Sequence, residues 1–357
     1  MMKRSAVITS FPINSGIGRY ANLLYGLGYF SDFLFYRTSA GSQKGNFTGI
    51  VQYSGRFTGL VSKQLSLWNR HNRWLKAIEN MDFVHFADPD FFHLAKYREN
   101  TVGTIHDLFF LQENTKHFYP ILNRMYYSSE LNSAHYLDAV VTISNVSKRQ
   151  IIEFYPNIDP IVVKLWTDAS FRPRDKLNAR IALDLPRDKF ILLNVSGDYP
   201  RKNIELLPKI MNSLDRDYLM VRIGESERII NLFENNNFIY HRVVSNELYP
   251  LYFNAADAVI LTSKEEGFGI PVIEAINSNV PLVLSNTDIF KEIVGNYQFY
   301  ADPDSPEEWV EKIKVLKNKY DNGDKFLTRI YKHLEGFYTE ERARAEYSSI
   351  YRKYGFI

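Results

Sequence analysis

The sequence predicts an α/β protein made of two doubly wound domains. Strand-like apolar runs alternate with helix-like segments from one end of the 357-residue chain to the other, the pattern of layered α/β folds. That length suits two domains, each able to bury its own core. Runs such as Ala258–Thr262 are apolar without interruption, which marks a strand covered on both faces.

In the first half, strands are expected at Ala6–Phe11, Phe33–Thr38, Phe83–Ala87, Val102–His106, Val140–Ser144 and Ile161–Leu165. Helices are expected at Gly18–Leu27, Leu65–Asn80, Leu122–Leu137 and Ser147–Phe154. A linker follows at 166–175, where Asp168, Ser170, Arg172, Pro173 and Arg174 break the apolar pattern. It separates a first domain, 1–165, from a second, 176–339. In the second, strands read at Phe190–Ser196, Leu219–Ile223, Phe238–Val243, Ala258–Thr262, Pro281–Leu284 and Phe299–Ala301. Helices read at Ile204–Leu214, Glu247–Asn254 and Pro306–Lys317, and the tail Glu340–Tyr354 is helical. In such folds a ligand sits beyond the carboxyl ends of the strands, here expected in a cleft faced by both domains. Gly41–Gly59 reads as a surface loop, open to a role over that cleft.

Composition narrows the chemistry. The chain has no cysteine, which removes thiol catalysis, disulfides and cysteine-ligated metals. Met1-Met2-Lys3-Arg4 runs directly into a short strand-like segment, and no apolar stretch reaches membrane-spanning length. A cytoplasmic location is therefore expected. Residues 1–165 hold 17 basic and 12 acidic side chains, against 26 and 29 in the remaining 192. The mildly basic first half could rest on the inner face of an anionic membrane. The run Arg56–Met81, with Trp68 and Trp74, could form a membrane-facing or lipid-acceptor surface, but a half-buried helix with a solvated face is the favoured reading. No basic run or recognition motif points to nucleic acid.

The most informative segment is Ser263-Lys-Glu-Glu266-Gly267-Phe268-Gly269-Ile270-Pro-Val-Ile-Glu274-Ala. It follows an apolar strand, turns on two glycines and enters a helix. Backbone N–H groups and a helix N-terminus at that place favour anions, while carboxylates accept the paired donors of sugar diols. Phosphate and polyol recognition side by side suggest a nucleotide-sugar. Glu265 is a competing register, but only Glu266 leaves seven residues before Glu274.

This Glu-x7-Glu segment resembles the donor-site motif of the retaining GT-B glycosyltransferases of family 4. The resemblance implies two Rossmann-like domains facing a cleft, with a last helix, within 340–357, crossing back to the first. It implies that Glu274 holds the donor ribose, that Glu266 lies by the transferred sugar, and that Gly267, Phe268, Gly269 and Ile270 line the sugar and phosphate pocket. The reaction implied is metal-free transfer of a hexose from a donor such as a UDP- or GDP-hexose. The acceptor would be a hydroxyl on a glycan, lipid-linked or protein-linked. Retention by a one-face route, with the diphosphate taking the acceptor proton, is implied; a covalent route through Glu266 stays open.

Three further segments fit. In Gly197-Asp-Tyr-Pro-Arg201-Lys202-Asn203, two cations stand where a helix start disfavours them, and an anionic ligand resolves that conflict. The resemblance gives Lys202 and Arg201 the donor diphosphate and places Gly197 at the loop start, although Asp198 stands where the commoner pattern has its Arg. Ser15-Gly16-Ile-Gly18-Arg19-Tyr-Ala21 reads as a dinucleotide fingerprint, but the second strand ends Phe35-Tyr36-Arg37-Thr38 without the required acid. It also resembles the family's front-domain glycine loop, in which Gly16 and Gly18 offer backbone N–H groups. An NAD(P)-dependent oxidoreductase, a GT-B sugar-nucleotide epimerase and a non-catalytic nucleotide-sugar binder remain as alternatives. His106-Asp107 ends a first-domain strand, and the resemblance sets His106 near the donor sugar. Ser144-Asn-Val-Ser147-Lys148 resembles a family helix start, although a helix cap accounts for Ser144 by itself. The family's Pro-Asn-Gly-x-Asp is absent after the last first-domain strand, where Phe171 and Pro173 alone keep the spacing.

Overall fold

The computed structural model describes residues 4–13, 15–37, 49–52, 71–112, 120–225, 227–233, 237–295, 299–324 and 331–357. The chain divides into two compact units, Met1–Leu165 with Glu340–Ile357, and Trp166–Thr339. Residues 166–175 group with the second unit.

The first unit is a parallel sheet of β1 (Ser5–Thr9), β2 (Asp32–Arg37), β3 (Gly49–Gln52), β4 (Phe83–Phe86), β5 (Thr101–Ile105), β6 (Ala139–Thr142) and β7 (Ile161–Val162). Their spatial order is β3-β2-β1-β4-β5-β6-β7. The order reverses between β1 and β4, so the crevice outside the ends of these two strands is the expected ligand position. β1, β4, β5 and β6 are buried along their whole length, as strands covered on both faces must be. The helices are α1 (Gly16–Gly26), α2 (His71–Ile78), α3 (Phe109–Gln112), α4 (Pro120–Asn132) and α5 (Asn145–Phe154).

The second unit holds β8 (Phe190–Val195), β9 (Tyr218–Ile223), β10 (Phe238–His241), β11 (Ala258–Leu261), β12 (Leu282–Ser285) and β13 (Tyr300–Ala301). Their order, β10-β9-β8-β11-β12-β13, repeats the arrangement of the first sheet. Among the described residues, every strand pairing in both sheets is parallel. The helices are α6 (Lys176–Ala182), α7 (Leu206–Asn212), α8 (Tyr249–Ala255), α9 (Ile270–Asn277), α10 (Asp288–Val294) and α11 (Pro306–Asp321). The last helix, α12 (Glu340–Lys353), belongs to the first unit. Its Tyr347 bonds Tyr20 at 2.8 Å, and its Tyr351 bonds His85 Nδ1 at 2.8 Å.

Two readings of the sequence change. Gly49–Gln52, expected in a loop, pairs with Leu34–Arg37 as a parallel edge strand; the rest of Gly41–Gly59 lies outside the described residues. Trp74, for which a membrane-facing surface is the lesser reading and a half-buried helix the favoured one, lies in α2, is fully buried and packs on Phe91 at 4.7 Å between ring centroids. It fills the core between α2 and the strand layer. Trp68 lies outside the described residues.

Candidate active site

The reversal of strand order in the second unit falls between β8 and β11. The two chain segments that leave these strands carry the residues singled out in the sequence. After β8 the chain runs through Gly197 into a short 3-10 turn, Pro200–Lys202, that ends on Asn203 in the left-handed region. After β11, residues 262–269 lead into α9. Lys264 N–H donates to the Arg201 carbonyl at 2.7 Å and the Thr262 hydroxyl to the Lys202 carbonyl at 3.0 Å. One backbone–backbone and one side-chain–backbone bond thus tie the two segments together.

Their side chains meet at Glu266. Lys202 Nζ lies 2.5 Å from Glu266 Oε1, and an Arg201 guanidinium nitrogen lies 3.5 Å from Oε2. The Ser263 hydroxyl donates to Oε1 at 2.8 Å. Burial alone pushes a carboxyl pKa up, but Lys202, Arg201 and these hydrogen bonds outweigh it and hold Glu266 below the ordinary range. Glu266 is therefore an anion at neutral pH. The three side chains are about one-tenth to one-fifth exposed, so both cations sit partly desolvated beyond the ends of β8 and β11. Arg201 also stands over the Tyr199 ring at 5.5 Å.

Gly267, Phe268 and Gly269 are buried and Ile270 is half-buried. Gly269, at φ +108°, precedes α9, and a Cβ there would press to 3.0 Å from the Phe290 ring. The turn therefore requires glycine. Glu274 lies inside α9 with no exposed surface, and its Oε2 accepts a hydrogen bond from the Tyr249 hydroxyl at 2.8 Å. The sequence reading gave no place to Ser263 as a Glu266 partner or to Tyr249. Ser263 stood inside the quoted motif, whereas Tyr249 is on another helix, 25 residues earlier, with no linear pattern to reveal it.

His106, Gly16 and Gly18 belong to the first unit. His106 follows β5, and its Nε2 lies 2.8 Å from the Ala87 carbonyl. A carbonyl only accepts, so Nε2 carries the proton and Nδ1 keeps its lone pair. Burial lowers the His106 pKa to about 4, with the Ala87 bond opposing. The ring is thus a neutral hydrogen-bond acceptor near pH 7. Tyr20 packs edge-on against it at 4.8 Å, and Ser147 donates to the His106 carbonyl at 2.9 Å. Ser144 caps α5, accepting from Ser147 N–H at 2.9 Å, and Lys148 pairs with Asp159 at 2.7 Å. Asp107 accepts from the Phe109 N–H at 3.3 Å.

The glycine loop after β1 serves its own helix. The Ser15 hydroxyl caps α1 by accepting from the Gly18 N–H at 3.1 Å. A Cβ on Gly18 would lie 1.9 Å from the Pro12 carbonyl oxygen, so close backbone approach explains that glycine. Gly16 is exposed. Among the described residues, no three His, Asp or Glu side chains are grouped as a metal site.

Comparison with known proteins places this geometry. Residues 18–166 match the family model described as Glycosyltransferase Family 4, and residues 175–333 match Glycosyl transferases group 1. The chain belongs to this family of glycosyltransferases. The O-antigen chain mannosyltransferase B of Escherichia coli is 24% identical over 82% of this chain and 84% of its own length. The O-antigen chain mannosyltransferase RfbU of Salmonella typhimurium is 26% identical over 66% of this chain and 65% of its own. Among solved structures, sucrose-phosphate synthase from Thermosynechococcus elongatus superposes with a TM-score of 0.80 at 15% identity, covering 98% of both chains. Anabaena Alr3699/HepE, in complex with UDP and glucose, also reaches 0.80, at 14% identity over 98% of this chain and all of its own. The fold of this glycosyltransferase is therefore GT-B, with two Rossmann-like units and the C-terminal helix returned to the first. The family match in residues 18–166 takes in most of the glycine segment once open to an NAD(P) reading, and that reading is not favoured.

Proposed function

We propose that this glycosyltransferase moves a hexose from a nucleotide-diphosphate sugar to an acceptor hydroxyl, with retention and without a metal ion. The observation that carries the reading is the meeting of Lys202, Arg201 and Glu266 at the β8/β11 switch point. A diphosphate entering there gains two cations, which stabilise the charge that grows as the glycosidic bond breaks. Glu266, kept ionised, accepts hydroxyls of the transferred sugar and faces developing oxocarbenium charge. In a one-face route the departing diphosphate takes the acceptor's proton. Glu274 receives the ribose diol.

The relatives named as O-antigen chain mannosyltransferases favour mannose as the transferred sugar and a glycan under construction as the acceptor. Alr3699/HepE, solved with UDP and glucose, supports a nucleotide donor in this fold. Among the described residues no helix is long and apolar enough to cross a membrane. On this reading the enzyme works in the cytoplasm, at the inner membrane face where its acceptor is lipid-linked.

The test is thermal stabilisation by UDP-, GDP-, ADP- and dTDP-sugars, followed by transfer assays with the donor that binds. Selective binding to the native state raises the unfolding midpoint. Lys202→Ala should lower turnover on the order of a hundredfold, and Glu274→Ala should weaken nucleotide affinity. Wild-type behaviour in both variants overturns the reading. The anomeric configuration of the product, followed by NMR, decides retention.

A further inference from the structure

Glu274 is fully buried, and its carboxylate is met by a hydroxyl whose position is fixed from three sides. The Tyr249 hydroxyl donates to Glu274 Oε2 at 2.8 Å. The Tyr249 ring stands edge-on to Phe171 at 5.8 Å and to Phe253 at 5.4 Å, and those two rings meet edge-on at 5.5 Å. Phe253 has no exposed surface and Phe171 very little. Three mutually perpendicular rings leave Tyr249 little rotational freedom, at geometries where aromatic pairs attract.

The segment that supplies Phe171 also braces both helices of the pair. Arg174 N–H donates to Asn254 Oδ1 on α8 at 2.8 Å. Asn277, on α9, donates to the Thr167 hydroxyl at 2.7 Å and to the Tyr338 carbonyl at 3.0 Å. Residues 167–174 therefore clamp the helix that carries Tyr249 and the helix that carries Glu274.

We propose that Tyr249 is the positioning residue for Glu274, and that through this hydrogen bond it sets how strongly the site distinguishes a ribonucleotide from a 2′-deoxyribonucleotide. A carboxylate has about four lone-pair directions on two oxygens. A hydroxyl held on one oxygen stops the group from turning. Fixing a binding group by packing and a supporting hydrogen bond is how sites gain geometric discrimination. This inference rests on the reading of Glu274 as the ribose contact.

The test uses the full chain, with UDP and GDP and their 2′-deoxy counterparts as probes, by isothermal titration calorimetry. Tyr249→Phe keeps the ring cluster and removes only the hydroxyl. It should weaken the bound ribonucleotide on the order of tenfold, the scale of a hydrogen bond to a charged group, and should weaken the deoxynucleotide less, so the ratio between them falls. In transfer assays KM should rise while kcat stays near wild type. In a Glu274→Ala background the same change should add nothing further. If wild-type protein binds no nucleoside diphosphate, the donor-site reading itself fails. If it binds and Tyr249→Phe leaves the ribose-to-deoxyribose ratio intact, the donor site stands and the positioning role is overturned. Tighter ribonucleotide binding by Tyr249→Phe also overturns it, because the hydroxyl would then be a competitor for ribose. A Tyr249→Phe protein with an unchanged unfolding midpoint confirms that a loss of ratio is not a loss of fold.

Discussion

Glu266 stands against two cations, and that arrangement sets what its replacement does. With Glu266→Gln, Lys202 and Arg201 keep their charges and lose their counter-ion. The expected cost is roughly 2 kcal/mol, less than for a wholly buried pair because both cations reach solvent. An anion supplied from solution should restore more than it gives the wild type. Pyrophosphate should therefore raise the unfolding midpoint of the variant further than that of the wild type. Equal shifts would mean that the two cations do not share one anion site. The acid limb follows from the same residue. The Glu266 pKa is depressed in the folded protein, so its contribution is complete above the ordinary carboxylate range and is lost as pH falls through the lowered value.

At the scale of elements, Gly18 is a glycine that the local backbone requires. Gly18→Ala would drive a Cβ to 1.9 Å from the Pro12 carbonyl oxygen, and a contact with backbone is not relieved by turning a side chain. It should destabilise the first unit by about 3 kcal/mol or more, seen as a lower urea midpoint. Nucleotide affinity of the protein that remains folded should be unchanged, because the residues proposed to hold the donor, Lys202, Glu266 and Glu274, lie in the second unit. Much of this level was legible in the sequence. The buried parallel strands announce themselves as apolar runs, and eleven of the thirteen described strands lie at or within a residue or two of their expected ranges. Gly49–Gln52 did not, because four residues on a sheet edge, set among glycines and polar groups, carry no periodicity. The short helices α6 and α10 were given no ranges, since seven residues give barely two turns of pattern. That the Glu266, Gly267–Gly269 and Lys202 segments follow strand ends was legible, because each such loop is continuous in sequence, and the structure brings Lys202 to Glu266. Tyr249 was not legible, because its bond to Glu274 is made by the packing of two helices.

At the scale of the whole molecule, the first unit buries a polar chain that joins its sheet to the C-terminal helix. His85 Nε2 and the Tyr20 hydroxyl both meet Thr104 Oγ1, at 2.8 and 2.7 Å, and α12 closes the chain through Tyr347 and Tyr351. Burial, with His106 nearby, lowers the His85 pKa to about 3, and burial lowers His106 to about 4. Between pH 6.5 and 5 the unfolded chain binds protons at these two positions that the folded unit refuses. Stability should therefore fall with falling pH in that window, by up to about 1.4 kcal/mol per pH unit for each histidine. Glu130 works in the opposite sense, since burial raises its carboxyl pKa against the pull of His93, and the net slope will be smaller than the two histidines alone would give. His106→Gln isolates one share. The protection of first-unit amides against hydrogen exchange, followed from pH 7 to 5, should fall less steeply in this variant than in the wild type, by on the order of tenfold in opening constant per pH unit. Equal slopes would mean that His106 already titrates normally in the folded enzyme, and its reading as a fixed neutral acceptor would fall with it.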